Sequence, residues 1–202
     1  MNIYIIRHGE TELNRQGIVQ GSGVDASLNE KGDRQALAFF EQYREVDFET
    51  IITSKLKRTH ETIAPFLQKN LPWEQFAEIN EISWGVMEGK KPDAGMVQRY
   101  QAITKAWDAG DFDAGVDGGE SARMLGERLE NFVSILKTRP EKNLLVCMHG
   151  RSLRALVCLL KAESLTQMSR FPHSNTGLYL VQYKDGQFNF HLENDTQHLA
   201  DI

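Results

Sequence analysis

Residues 3–11 of the chain are Ile3-Tyr4-Ile5-Ile6-Arg7-His8-Gly9-Glu10-Thr11, a short apolar run that ends in a cation, an imidazole and a glycine. Such a run predicts a buried strand that brings charged side chains to its C-terminal end, which is where open α/β sheets place their ligands. The Arg7 guanidinium is a planar set of donors suited to phosphate, and His8 is a nucleophile that works near neutral pH. Taken alone, these residues fit two interpretations equally well. They could form a phosphate site, or they could be an exposed dipeptide that follows an edge strand by accident.

Two further junctions between a strand and a helix follow the same pattern. The apolar run 144–148 ends at His149, and the helix that follows would place backbone N–H donors and a positive dipole end beside a bound anion. The apolar run 51–53 leads through Ser54, the expected N-cap, into a helix that carries Arg58. Because Arg58 lies just beyond the end of a strand, its guanidinium could reach the same pocket as the first junction.

Strands and helices alternate along the rest of the chain. Asn29 can cap the first long helix, and a hairpin is predicted near the C-terminus. Apolar residues at helical spacing predict helices over about 30–44, 56–67, 96–107, 125–136 and 153–160. Since no repeat, linker or low-complexity segment interrupts this pattern, it predicts a single α/β sandwich over residues 1–202.

The composition fits one globular domain, because the 202 residues are 41% hydrophobic and 25% charged. The net charge of −5 provides no general field for nucleic acid, so an anion site must be built from a few local cations. Cys147 and Cys158 lie in apolar surroundings, which is typical of buried residues rather than of a disulfide or metal site. The first apolar run is too short for a signal peptide or a membrane span, so we expect a cytoplasmic protein with no membrane partner.

Five blocks of the chain carry a more specific signal. They are Arg7-His8-Gly9-Glu10-Thr11 with Asn14, Ser54-x-Leu56-x-Arg58-x-x-x-Thr62, Glu81 with Gly85 and Glu88-Gly89, Gly118-Gly119-Glu120-Ser121, and His149-Gly150 with Arg154. In their order and approximate spacing these blocks resemble the histidine phosphatase superfamily, also called the phosphoglycerate mutase-like family. The resemblance covers nearly the whole chain and implies a three-layer α/β/α sandwich with a mostly parallel central sheet.

The resemblance also implies a role for each matching residue. His8 would attack phosphorus and form a phosphohistidine, which splits one slow displacement into two faster ones. Arg7, Arg58 and His149 would stabilise charge on the transferring phosphoryl group. We expect His149 to work as a cation, because a doubly anionic phosphate raises the pKa of a neighbouring imidazole. With this many donors no metal or cofactor is expected. The further substrate-binding residues are expected to be Asn14, Gln20 and Gly21.

The leaving oxygen needs a proton, and the family pattern Ile/Leu-x-Glu-x-x-x-Gly assigns that role to Glu81. Its apolar neighbours would keep the carboxyl group partly desolvated and so favour the protonated acid. From the residues alone Glu88 is a rival, because it also follows an apolar pair. The family pattern favours Glu81.

The remaining polar residues receive no catalytic role. Glu120 and Ser121 are expected only to satisfy free N–H groups at the start of a helix. Asn175 is a weaker candidate for lining the pocket. Four other histidines lack a partner at metal-ligand spacing and are predicted to be surface or packing residues: His60, His173, His191 and His198.

The function predicted is hydrolysis of a small phosphorylated metabolite through phosphorylated His8. Cofactor-dependent phosphoglycerate mutase activity is the main alternative, but the mutases carry a longer insertion than the segment 90–117 found here. A phosphate-sensing binding module without turnover is a third hypothesis. Arg151 departs from the family, in which a small residue often follows His-Gly, and Lys90, Lys91 and Arg99 could contact a second phosphate. The sequence leaves open the substrate and whether the chain is a monomer or a homodimer.

Overall fold

The computed structural model describes residues 1–202 and places six strands in one sheet. The strands are β1 (Asn2–Arg7), β2 (Thr50–Thr53), β3 (Trp73–Gln75), β4 (Asn143–Met148), β5 (Leu178–Lys184) and β6 (Gln187–Asp195). Their order across the sheet is β3-β2-β4-β1-β5-β6. The first four strands are parallel, β5 is antiparallel to β1, and β5 and β6 form the predicted hairpin. The mostly parallel sheet is therefore confirmed, whereas the three-residue β3 has no counterpart among the predicted elements.

Helices cover both faces of this sheet. They are α1 (Glu12–Arg15), α2 (Glu30–Tyr43), α3 (Lys57–Leu67), α4 (Ala94–Asp108), α5 (Ala122–Lys137) and α6 (Gly150–Leu160). On one face, Phe39 of α2 and Phe66 of α3 pack with Ile6 and Leu145 of the sheet. On the other, residues of α4, α5 and α6 join the larger apolar cluster that contains the opposite side chains of the same strands. The alternation of side chains along each strand thus produces the predicted three layers.

The starts of the helices show which capping expectations hold. The side chain of Asn29 accepts a hydrogen bond from the Gly32 N–H, and Ser121 caps α5 as expected. Ser54, however, is not the cap of α3, because that helix begins after Leu56 and has no side-chain cap. The Ser54 hydroxyl instead accepts the Leu56 N–H and faces a histidine, so it belongs to the site described next.

Among the helices longer than one turn, α4 is the least buried. Ile103 and Trp107 face the core, whereas Val97 is 43% exposed. Both cysteines are buried and unpaired, as predicted. None of the helices combines the length and apolar character needed to cross a membrane.

Candidate active site

Three parallel strands end side by side and bring the polar junctions of the sequence together. In the β1–β4 ladder Arg7 is opposite Met148, and in the β2–β4 ladder Thr53 is opposite Cys147. The His8 N–H continues the ladder by donating to the Met148 carbonyl at 2.9 Å. The residues that follow the three strands therefore meet at one edge of the sheet, as the sequence predicts.

His8 is held in one tautomer by its own neighbour. Its Nδ1 lies 2.7 Å from the Gly9 carbonyl, and because a carbonyl can only accept, the proton must be on Nδ1. Burial, reinforced by the charges of Arg58 and Arg7, lowers the pKa of His8 well below its ordinary value. The ring is therefore neutral at pH 7 and carries a lone pair on Nε2, which forms no hydrogen bond within the protein, and its side chain lines the cavity described below.

His149 lies beside His8, with 5.2 Å between the ring centroids. Arg58 Nε donates to His149 Nδ1 at 3.1 Å, so the His149 proton is on Nε2, 2.7 Å from the Ser54 hydroxyl. Burial and the nearby Arg58 charge lower the pKa of His149 well below its ordinary value. His149 is therefore neutral while Arg58 donates to its Nδ1, and a cationic His149 beside a bound phosphate stays a prediction.

Arg58 is fully buried and fixed from several sides. Besides His149, it donates from Nη1 to the Val24 carbonyl at 2.7 Å and from Nη2 to the Gly21 carbonyl at 3.3 Å. A Cβ on Gly21 would lie 1.9 Å from Glu88 Oε1, so the close approach of this loop requires glycine there. Gly21 therefore serves through its backbone and holds the cation in place.

Arg7 reaches the same place from the end of β1. Its Nη1 donates to the His173 carbonyl at 2.8 Å and lies 3.3 Å from His173 Nδ1, while its buried Nε has no partner. Burial lowers the pKa of Arg7 to about 10, so the guanidinium remains charged at neutral pH. We refer to Arg7, His8, Arg58 and His149 as the inner cluster.

Glu81 is held by the start of α6. Its Oε1 accepts from the N–H groups of Ile82 at 3.0 Å and Ser152 at 2.9 Å, and its Oε2 accepts from the Arg151 N–H at 3.0 Å. Glu81 is 8% exposed, so the partial desolvation expected for it is confirmed, but N–H groups rather than its apolar neighbours contact its oxygens. Glu88 does not line the cavity, and its Oε1 instead accepts the Trp84 N–H at 2.7 Å.

A cavity of about 440 Å³ opens over the inner cluster. Arg7, His8 and Glu81 line it together with Asn14 and Gln20, whereas Arg58, His149 and Gly21 lie behind its surface. Asn14 Oδ1 accepts a hydrogen bond from the Thr11 N–H at 3.2 Å, and Gln20 Nε2 donates to the Thr11 hydroxyl at 2.6 Å. The opposite side, which we call the outer wall, is formed by Ile18, Trp84, Met96, Tyr100 and Arg151. No group of three or more His, Cys, Asp or Glu side chains is arranged to hold a metal ion.

Residues 3–196 match the family model of the histidine phosphatase superfamily, branch 1. The chain belongs to the histidine phosphatase superfamily. This histidine phosphatase is 32% identical over 220 residues to a broad-specificity phosphatase of Saccharomyces cerevisiae, with 100% of this chain and 88% of the relative covered. It is 27% identical over 192 residues to a protein of Salmonella choleraesuis named a probable phosphoglycerate mutase, covering 93% of this chain and 87% of that one.

The fold is likewise that of solved members of the superfamily. The α-ribazole phosphatase of Shigella flexneri superposes with a TM-score of 0.85 at 23% identity, with 96% of each chain covered. Together the family match and the phosphatase relative show that the chain is a phosphatase.

Three residues near the site were interpreted differently or missed from the sequence. His173 was predicted to be a surface or packing residue, but this histidine phosphatase uses it to line the cavity beside Arg7. Asn175 does not line the cavity and instead donates to the His8 carbonyl at 2.9 Å. Tyr100 lies in α4, within the helix predicted over about 96–107. Its hydroxyl contacts Arg151, and no local pattern in the sequence signals that contact.

Proposed function

We propose that this phosphatase hydrolyses a small phosphomonoester without a metal ion, through a phosphohistidine on His8. The observation that carries the proposal is the tautomer of His8, which is neutral, held through Nδ1 and open at Nε2 towards a cavity. A neutral imidazole with a free lone pair is the form that attacks phosphorus. The buried Arg58 and the half-buried Arg7 supply the positive charge that a phosphoryl group needs.

In the first step His8 Nε2 bonds to phosphorus while the bond from phosphorus to the leaving oxygen breaks. Arg7 and Arg58 stabilise charge on the phosphoryl oxygens, and Asn14 and Gln20 offer neutral contacts at the same end of the cavity. A bound phosphate gives both Arg58 Nε and a protonated His149 Nδ1 an oxygen to donate to. Phosphate binding would therefore replace the present bond between these two groups and restore the cationic role predicted for His149.

Glu81 gives its proton to the leaving oxygen in this step. Its Oε1 accepts two N–H groups but its Oε2 accepts only one, so Oε2 has the free lone pair that can carry the acidic proton. In the second step water attacks phosphorus, the nitrogen–phosphorus bond breaks, and Glu81 takes a proton from the water. The carboxyl group is thereby returned to its starting state.

The short segment between Glu81 and α5 supports hydrolysis over mutase activity. It contains one helix, α4, and leaves the cavity open to water rather than covered by a larger insertion. Phosphorus NMR of 3-phosphoglycerate with catalytic 2,3-bisphosphoglycerate separates the two activities. Release of inorganic phosphate is expected, and rapid formation of 2-phosphoglycerate without phosphate release would show that the chain is a mutase.

Trapping of the intermediate tests the mechanism directly. Acid-sensitive, alkali-stable label should remain on the protein after a quench during turnover of a ³²P-labelled phosphomonoester, and it should be absent from His8→Ala. His60→Ala is the matched control, because His60 lies outside the cavity, with its Nε2 against the Ser54 carbonyl. Label on His8→Ala would contradict the assignment, and phosphate binding with neither label nor turnover would favour a sensing module.

A further inference from the structure

Arg151 occupies an unusual place in the outer wall. Its side chain is 7% exposed and lines the cavity. Its Nη2 donates to the Tyr100 hydroxyl at 2.7 Å, and its guanidinium carbon lies 5.5 Å from the centre of the Trp107 ring. Aromatic faces thus support the guanidinium on one side, as in a cation–π contact, while no protein acceptor binds its remaining N–H donors.

Arg151 also has no counter-ion. Other partly buried arginines do: Arg128 pairs with Glu120 at 2.8 Å, and Arg139 pairs with Glu74 at 2.6 Å. No carboxylate oxygen lies within ion-pair distance of Arg151, and the nearby Glu81 accepts only its backbone N–H. Burying an unpaired cation costs free energy, so its placement is not explained by stability.

The position of Arg151 adds to that cost. It stands in the first turn of α6, at the positive end of the helix dipole, where a cation is unfavourable. It directly follows Gly150, at which a Cβ would lie 3.5 Å from Arg7 Nε. Its charge contributes, after burial, to the lowered pKa of Arg154 and, as a minor cause, to that of His173. Arg151 is thus a second arginine, besides Arg7, in the lining of the cavity.

We propose that Arg151 binds a second anionic group of the substrate, a carboxylate or a further phosphate, and so selects dianionic metabolites of this kind among phosphomonoesters. The proposal rests on the function proposed above, because it concerns the substrate of the same cavity. The free N–H groups of Arg151 supply paired donors with the geometry that carboxylate and phosphate oxygens accept. The anion also replaces the counter-ion that the fold does not provide.

Matched substrates test this proposal, with kcat/KM measured for each. Glycerol 3-phosphate and 3-phosphoglycerate differ by one carboxylate, whereas fructose 6-phosphate and fructose 1,6-bisphosphate differ by one phosphate. The unmodified enzyme should prefer the more anionic member of at least one pair by roughly tenfold or more, mainly through KM. The pair that shows the preference identifies the anionic group.

Two variants assign the preference to Arg151. Arg151→Gln should reduce the ratio within that pair to below about threefold, and Arg151→Lys should keep part of it because the charge remains. The control is Lys105→Gln, which removes an equal charge from an exposed residue of α4 outside this cavity and should leave the ratio unchanged. Ratios near one for both pairs in the unmodified enzyme, or equal losses for both members in Arg151→Gln, would overturn the proposal.

A binding measurement separates this proposal from the function on which it rests. Calorimetric titration of His8→Ala with the same pairs needs no turnover, so selectivity for the more anionic ligand is measurable even if no phosphohistidine forms. A normal phosphohistidine without ligand selectivity would overturn the role of Arg151 alone. Selective binding without label or hydrolysis would overturn the phosphatase mechanism and leave Arg151 as an anion-binding residue.

Discussion

The inner cluster and the outer wall face the same cavity but are built in different ways. Three of the four residues of the inner cluster follow or end parallel strands, and main-chain ladders hold them in register. The outer wall depends on a loop, on the partly exposed α4 and on side-chain stacking, such as Trp84 against Tyr100 with 4.8 Å between ring centres. The difference indicates that the chemistry on phosphorus and the choice of substrate are separable in this molecule. Changes in the inner cluster should affect every substrate, and changes in the outer wall should affect some.

The largest effect is expected for Arg58→Lys. A lysine cannot donate to His149, Val24 and Gly21 from one planar group, so the second histidine and the loop lose their common support. We expect kcat to fall by about 10³-fold for every phosphomonoester, as for loss of an oxyanion donor. Steady-state kinetics on several substrates measures this.

The control for Arg58→Lys is Lys55→Arg, an equally conservative exchange at an exposed position just before α3. It should keep nearly full activity. A fall in kcat of Arg58→Lys for one substrate alone would contradict the distinction between the inner cluster and the outer wall, because Arg58 would then determine substrate selectivity.

Glu81→Gln should give the next largest effect, and its size should depend on the leaving group. Glutamine keeps the shape but cannot protonate an alkoxide, so alkyl phosphates should lose about 10²-fold in kcat. The phenolate that leaves p-nitrophenyl phosphate needs little protonation, so the fall in kcat for this substrate should be much smaller. Comparing the two classes of substrate measures the proton transfer itself.

Glu88→Gln is the matched control for Glu81→Gln. Glu88 positions the Trp84 N–H and the Gly21 loop without lining the cavity, so its change should not alter the dependence on leaving group. If Glu88→Gln showed that dependence and Glu81→Gln did not, the assignment of the acid would be reversed.

Gly21→Ala should destabilise the protein by about 3 kcal/mol, since a Cβ there would also lie 2.7 Å from the Ile82 carbonyl. The loop would have to move, and the carbonyl that holds Arg58 would move with it. Urea unfolding measures the free energy, and kcat reports the effect on the site.

Gly17→Ala provides the comparison in the same region. Gly17 has a positive φ of 66° but nothing within 4 Å of a Cβ, so only backbone strain of about 1 kcal/mol is expected. Equal costs for the two variants would contradict the close packing of Gly21.

The smallest effect concerns acid stability. Burial first, and then nearby arginines, lower the pKa of His173 to about 3 from an ordinary value of 6.5. The unfolded chain therefore binds more protons between these values, and the free energy of unfolding falls as the pH drops below 6.5. His173 should account for about 2 kcal/mol of the difference in the free energy of unfolding between pH 8 and pH 5.

His173→Gln should remove that share, as measured by urea unfolding at both pH values. The exposed His191→Gln is the control and should leave the difference unchanged. An unchanged difference in His173→Gln would mean that the imidazole is not held in its neutral form by the fold.

The sequence predicts the inner cluster well because its signals are local. An apolar run followed by a polar pair identifies both the strand and its end, so the places of Arg7, His8 and His149 can be read from a few residues. The three-layer fold follows from the same runs and from helical spacing. Ser54 shows the limit: as a residue between a strand and a helix it resembles a cap, and only the position of His149, 95 residues later, reveals its partner.

The surroundings of Glu81 could not be predicted, because they come from distant parts of the chain. The neighbours in sequence have apolar side chains, and besides the Ile82 N–H the groups that contact the carboxylate are N–H groups of Arg151 and Ser152, about 70 residues away. The contact between Tyr100 and Arg151 joins two helices in the same way. Such contacts depend on how layers pack, and no periodicity in a single segment encodes them.

The central place of β1 has a consequence for how the enzyme comes into being. Synthesis runs from the N-terminus, so β1, which precedes the proposed nucleophile His8, is made before its partners β4 and β5, which begin at Asn143 and Leu178. Asn175, which fixes the His8 carbonyl, is also made late. Contacts of such long range close slowly, and a growing chain exposes this strand without its partners until β4 and β5 have been made. If His8 is the nucleophile that we propose, a chain made only as far as β4 cannot carry out phosphoryl transfer, because β5 and Asn175 complete the surroundings of His8.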